Sequence, residues 1–147
     1  MITYRKLGEH DLETIVPHYV AYFNQIEGAS WTEALARRRL SQLIIRFDAF
    51  GYILEEDGHD LGFAIGQFVQ FDDGVVFELN ELLVYLPYQN KGHGSRLLKK
   101  IETEAHHHGA FRIQLVAADD ALHNHFYLNK HGYVNAHNNL WRTKVLD

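Results

Sequence analysis

The 147-residue chain contains no cysteine, a single methionine and only two prolines. Without thiols there are no disulfides, no thiolate metal sites and no cysteine nucleophile, so any acyl transfer must bypass an S-acyl enzyme. No apolar run approaches the roughly 20 residues that cross a bilayer, and the opening MITYRKLGEHDLETI lacks the apolar stretch of a secretory leader. No membrane partner is expected, and a cytoplasmic location is. Lys and Arg number 14 against 19 Asp and Glu, a net charge of −5. That balance argues against a nucleic-acid partner, because phosphate backbones are held by clustered cations.

The remaining composition, 46% hydrophobic, 13% aromatic and 22% charged, is that of a globular protein. The length suits one domain over residues 1–147, with a core and a cofactor-sized cleft. Charge is segregated within it. Between Tyr85 and Lys100 stand Lys91, Arg96, Lys99 and Lys100 with no acid, whereas between Phe71 and Glu81 stand Asp72, Asp73, Glu78 and Glu81 with no base. One stretch suits an anion and its neighbour a cation.

ITYRKL alternates like a strand, and Leu12, Ile15, Val16, Tyr19 and Phe23 recur at helical spacing over Glu9 to Ile26. Gly28 ends that helix, and Ser30 with Glu33 forms a capping box for a second helix running to about Phe50-Gly51. Tyr52 to Glu55 and Leu61 to Phe71 read as a hairpin around Asp57-Gly58, followed after Asp72-Asp73-Gly74 by a strand over Val75 to Tyr85. A helix carrying Leu97, Leu98, Ile101 and Ala105 follows and ends at Gly109. Then come a strand over Phe111 to Ala117, a short helix over Asp120 to Lys130 and a final strand pair over Tyr133 to Val145. The order βααβββαβαββ predicts a mixed α/β sheet with helices on both faces.

Gln89-Asn90-Lys91-Gly92-His93-Gly94 joins a strand to a helix, so its amides lie at a helix N-terminus where they lack internal partners. Such a terminus binds anions. Gly92 permits a left-handed turn, Gly94 a close approach, and Lys91 and Arg96 add charge at the rim. The spacing matches neither a Walker A loop nor a dinucleotide fingerprint. Taken alone, two glycines also suit a plain strand-to-helix turn.

Leu82 to Gly94, a strand closed by Pro87 and followed by Gln-x-x-Gly-x-Gly, resembles the signature of the GNAT superfamily of acetyl-CoA-dependent N-acetyltransferases. His123-Asn124-His125-Phe126-Tyr127-Leu128-Asn129-Lys130-His131-Gly132-Tyr133 is similar to that family's helix ending in Phe-Tyr-x-x-x-Gly-Phe. The element order agrees, so the resemblance covers nearly the whole chain and implies a GNAT-like acyl-CoA N-acyltransferase fold with acetyl-CoA as cosubstrate. By the same resemblance, Leu83, Val84 and Tyr85 line the pantetheine arm. Gln89, Asn90, Lys91, Gly92, His93, Gly94, Ser95 and Arg96 hold the pyrophosphate, and Asn124 contributes to the cofactor site. Gln89 stands where many members have Arg, and Asp120 and His123 where members often have Asn and Ala. A homodimer is a family-based expectation.

An alkyl ammonium titrates at roughly 10.4, so an amine acceptor must lose a proton before it attacks. The departing thiol should titrate near 8.5, and a phenol of about 10 can protonate it. The resemblance makes Tyr127 that acid; a half-buried aromatic packing role fits the same residue. Glu81 is the candidate base, placed by strand alternation on the face of Phe77, Leu79 and Leu83, with Glu78 and Asn80 opposite. A carboxylate there also suits binding of the substrate ammonium or an internal ion pair. The amide of Val84 or a neighbour would polarise the thioester carbonyl.

Trp31, Glu27 and Glu78 are candidate acceptor-binding residues, and Tyr22 and Asn24 share that region, although a core or staple role suits Trp31 equally. The 11 histidines include His106-His107-His108, but adjacent histidines on a helix diverge, so no metal site is expected. The acids at Asp72, Asp73, Glu78 and Glu81 point to a small cationic amine as acceptor. A protein or peptide amine is the alternative enzyme reading, and a non-catalytic acyl-CoA-binding module the alternative class.

Overall fold

The computed structural model of the protein describes residues 1–136 and 140–147. It contains two compact units, Met1–Leu115 and Val116–Asp147. The first holds a five-stranded sheet built from β1 (Ile2–Lys6), β2 (Ala49–Glu56), β3 (His59–Phe71), β4 (Gly74–Val84) and β5 (Ala110–Leu115) in sequential order. Its helices are α1 (Leu12–Ile26), α2 (Glu33–Ile44) and α3 (His93–His107). Strands β1 to β4 pair antiparallel, and β5 pairs parallel to β4 after the crossover through α3.

The periodicities seen in the sequence account for both sides of the sheet. Ile15, Val16 and Tyr19 of α1 and Ala36, Leu40 and Leu43 of α2 are buried against Ile53, Phe63, Ile65, Leu83 and Tyr85. Pro17 falls inside α1 without ending it. An interior proline costs about 3 kcal/mol, and this buried stripe is large enough to offset it. On the other face α3 packs on β2 to β5 through Leu97, Leu98 and Ile101, none of them exposed. At about 1.5–3 kcal/mol for each such side chain, the helix is firmly seated and its N-terminus has a fixed position.

Several boundaries differ from the sequence expectation. Thr32, not Ser30, caps α2, its side chain accepting the Leu35 amide at 3.1 Å. That helix ends at Ile44 because Ala49 to Gly51 already belong to β2, where pairing with β3 overrides a weak helical pattern. Asp57 and Gly58, with φ of 52° and 82°, form the tight β2–β3 turn expected of that dipeptide.

In the second unit α4 (Ala121–Asn124) opens at the Asp120 cap and widens into a π-helical turn, His125–Lys130. Residues 133–136 and 140–147 form no strand, so the expected final strand pair is not observed among the described residues; residues 137–139 lie outside them. The apolar side chains of that stretch, Val134, Leu140, Trp141 and Val145, are largely exposed, and without burial an isolated pair has little to hold it together.

Candidate active site

Strand β4 changes character halfway along. From Val75↔Ala110 to Leu79↔Leu115 it has β5 on one side and β3 on the other. Beyond Leu79 the ladder to β5 stops, and Glu81 to Val84 pair only with β3. Between the two halves lies a bulge: Gly66 faces Leu79 and Ile65 faces Glu81, leaving Asn80 without a partner. Gly66 makes the bulge sterically possible, since a Cβ there would sit 2.2 Å from the Glu78 carbonyl oxygen and 2.5 Å from the Phe77 ring.

The extra residue reverses the alternation. Phe77 packs edge-on against Phe50 and Phe68 beside His108, on the α3 face. Glu81 instead reaches Tyr19 of α1 and Arg39 of α2. The expectation that Glu81 shares a face with Phe77 and Leu79 is therefore corrected; Leu83 alone of the three does share it. Asn80, expected opposite, accepts a hydrogen bond from Arg46 just past α2. Glu78 lies on this side too, accepting from Gln114 at 2.8 Å and close enough to Arg46 to favour its charged form.

The unpaired half of β4 leaves one backbone edge open among the described residues. The Tyr85 N–H donates to Leu61 at 2.9 Å, so alternation turns the N–H groups of Leu82 and Val84 to the edge that β5 has left. Of the three expected pantetheine residues, Val84 presents its backbone there, whereas Leu83 and Tyr85 bury their side chains in the core beneath α1 and α2. Tyr85 stacks on His18 at 3.8 Å, and its buried hydroxyl has no partner. Leu82 was missed by the motif and follows from the pairing of its neighbour.

Gln89 donates its side-chain amide to the Val84 carbonyl at 2.9 Å, tying the loop to the strand end. Asn90 (φ 63°) and Gly92 (φ 82°) turn the chain into α3, where Gly92 is the N-cap. The first intrahelical bond runs from the Arg96 amide to Gly92 at 3.2 Å, so the N–H groups of His93, Gly94 and Ser95 precede the helical ladder. Arg96 folds over the loop, donating to the Lys91 carbonyl at 2.8 Å and lying 3.0 Å from Nδ1 of His93. Burial, and then Arg96, push the His93 pKa down, so its ring is neutral and can accept that bond. The amides, the helix dipole and the cations Lys91 and Arg96, without an acid from Tyr85 to Lys100, fit a pyrophosphate.

On the side of α1 and α2, the Glu81 side chain is 12% exposed. It accepts from the Tyr19 hydroxyl at 3.0 Å and lies 3.5 Å from the Arg39 guanidinium. Burial raises its pKa above the ordinary carboxylate value; Tyr19 and Arg39 oppose the rise, and Glu27 adds to it. Glu27 is thus near enough to be felt, at the exposed end of α1. Trp31 packs edge-on against Tyr19, and Asn24 holds its backbone with two 2.8 Å bonds, so this loop braces the residue that bonds Glu81.

In the second unit the half-buried Tyr127 occupies the π-helical turn, its ring against Phe126 and Tyr133. Asp120 accepts from the His123 amide at 2.8 Å and lies 2.7 Å from its ring. The Asn124 amide donates to Asp119 at 2.9 Å. Among the described residues no three His, Asp or Glu side chains gather as metal ligands, and no helix is long and apolar enough to cross a membrane.

Comparison with known proteins agrees with this geometry. The sequence model of the Acetyltransferase (GNAT) family matches residues 12–133. No curated protein matches by sequence. Among solved structures, a possible acetyltransferase from Clostridium difficile 630 aligns with a TM-score of 0.84 at 13% identity, covering 100% of this chain and 99% of that one. A ribosomal-protein-alanine N-acetyltransferase from Brucella melitensis biovar Abortus 2308 aligns at 0.76 with 13% identity, covering 100% and 99%. An aminoglycoside N-acetyltransferase in complex with CoA aligns at 0.74 with 12% identity, covering 98% and 95%. A family match of this extent, over a sheet whose fourth strand parts from the fifth beside a glycine-turned helix N-terminus, places the chain in the GNAT acetyltransferase family.

Proposed function

We propose that the protein transfers an acetyl group from acetyl-CoA directly to a primary amine, and that residues 1–147 make up a single catalytic domain. The family match running across Leu115 and Val116 supports the single domain. The observation that carries the reaction is Glu81: a nearly buried carboxylate of raised pKa, placed by a bulge where the coenzyme-facing edge of β4 begins. A carboxylate so tuned takes a proton from an ammonium more readily than an ordinary one.

Acetyl-CoA supplies an activated thioester carbonyl. His93 to Arg96 hold its pyrophosphate, the Leu82 and Val84 amides pair with the pantetheine arm, and one of these amides faces the carbonyl oxygen. Glu81 accepts the amine proton directly or through a water, and Tyr127 returns a proton to the departing sulfur. Tyr127→Phe is expected to lower kcat by about 100-fold with acetyl-CoA affinity unchanged. Full turnover in that variant would remove Tyr127 from this role.

The named neighbours act on unlike acceptors, an aminoglycoside and a ribosomal protein, so the fold does not choose the amine. Asp72 and Asp73 lie in the β3–β4 turn, separated from Glu81 along β4 by roughly 25 Å at about 3.3 Å per residue, and so do not support a cationic acceptor. Thiol release from acetyl-CoA across a panel of small amines and free-N-terminus peptides tests the reading. Tight acetyl-CoA binding without acceleration by any amine would instead favour a binding module.

A further inference from the structure

Two arginines stand on the acceptor side of β4, and the protein does not fully employ either. Arg46 is half-buried, donates to Asn80 in the bulge, and keeps its Nε buried with no partner. No carboxylate lies within ion-pair distance of it among the described residues; Glu78, which accepts from Gln114 at 2.8 Å, is near enough only to favour its charged form. Its pKa is lowered by burial and then by Arg39. Arg39, 40% exposed in its side chain, lies 3.5 Å from a Glu81 oxygen that already accepts from Tyr19, and interacts with the Tyr19 hydroxyl as well.

A half-buried guanidinium with no anion directly paired to it is costly, and a second cation close enough to be felt adds repulsion. A carboxylate placed between them relieves both, and the planar donor fork of arginine is suited to receive it in two parallel bonds. Arg39 lies beside Glu81, and Arg46 beside Asn80, the residue before it in the strand.

We propose, building on the acetyltransferase reading, that the acceptor is an amine carrying a carboxylate. Arg39 and Arg46 bind its anionic end while its amine meets Glu81. The acceptor is then zwitterionic, as amino acids are, rather than a polycation. Glu81 needs only the amine, so the arginine pair sets specificity.

The test measures thiol release with matched acceptors, ω-amino carboxylates and their carboxamides at one to four carbons between the groups, each rate corrected for the free-amine fraction. At one spacing or more, the carboxylate should be favoured by about 10–100-fold in kcat/KM, the range of charge-assisted hydrogen bonds. Arg46→Gln and Arg39→Gln should each cut that ratio by about ten-fold, and Arg46→Lys should retain part of it.

A ratio within about two-fold at every spacing, or one that Arg46→Gln leaves intact while lowering both rates, would overturn the proposal. The thermal midpoint of Arg46→Gln should hold or rise, because an unpaired cation is removed; a large fall would make Arg46 a brace for the bulge and likewise overturn it. Thiol release on carboxamides without a carboxylate preference refutes this inference alone. Silence with every amine refutes the acetyltransferase reading beneath it.

Discussion

The two sides of the unpaired half of β4 are built from different materials. The side proposed for the coenzyme consists mostly of backbone: the Leu82 and Val84 edge, and the amides at the start of α3, set by Gly92 and by a helix firmly seated on the sheet. The side proposed for the acceptor consists of side chains, Tyr19, Arg39, Arg46 and Glu81, gathered from α1, α2, the segment after α2 and β4. Backbone recognition tolerates many sequences and suits one shared coenzyme. Side-chain recognition is free to change with the acceptor. Substitutions on the two sides should therefore separate coenzyme binding from acceptor chemistry.

The largest effect is expected on the acceptor side. Glu81→Gln should lower kcat/KM for the amine by about 100-fold or more, the usual contribution of a positioned base, while calorimetry finds acetyl-CoA affinity unchanged. Weakened coenzyme binding in that variant would break the separation. Gly92→Val gives the reciprocal case, because a β-branched residue at φ 82° is strained by about 1–3 kcal/mol. Acetyl-CoA affinity should fall by about ten-fold or more, with the acceptor KM little changed.

A smaller and more diagnostic effect concerns pH. In the proposed role Glu81 accepts a proton only when ionised, so activity should fall as pH drops through its raised pKa. Tyr19 donates to that carboxylate and holds the rise in check, so Tyr19→Phe should move the acidic limb of the kcat/KM profile to higher pH. At pH values well above the limb the two proteins should converge. A parallel drop at every pH would reduce Tyr19 to packing against Trp31.

The strand, turn and helix proposed to hold the coenzyme were legible in the sequence as structure, because a strand, a turn, two glycines and an amphipathic helix are all local patterns. The helices α1 and α3 and the hairpin turns were legible for the same reason. The facing of Glu81 was not, because strand alternation was carried through a bulge. Gly66, unexplained inside an otherwise apolar strand, was the available signal, but the residue opposite it cannot be identified before the register is known. The parts of Tyr19, Arg39 and Arg46 were equally hidden. Each lies in or beside a helix with an ordinary local pattern, and only packing on the sheet brings them to β4.

By itself the sequence determined the order of elements through β5 and α4, the absence of cysteine chemistry, the position of the glycine turn into α3 and the family, since each depends on composition or on contacts between near neighbours in the chain. The tertiary structure decided which face of β4 carries Glu81, which backbone groups remain on its open edge and which charges surround the carboxylate. Those depend on register and on burial, and burial is a property of the folded sheet and the helices packed on it.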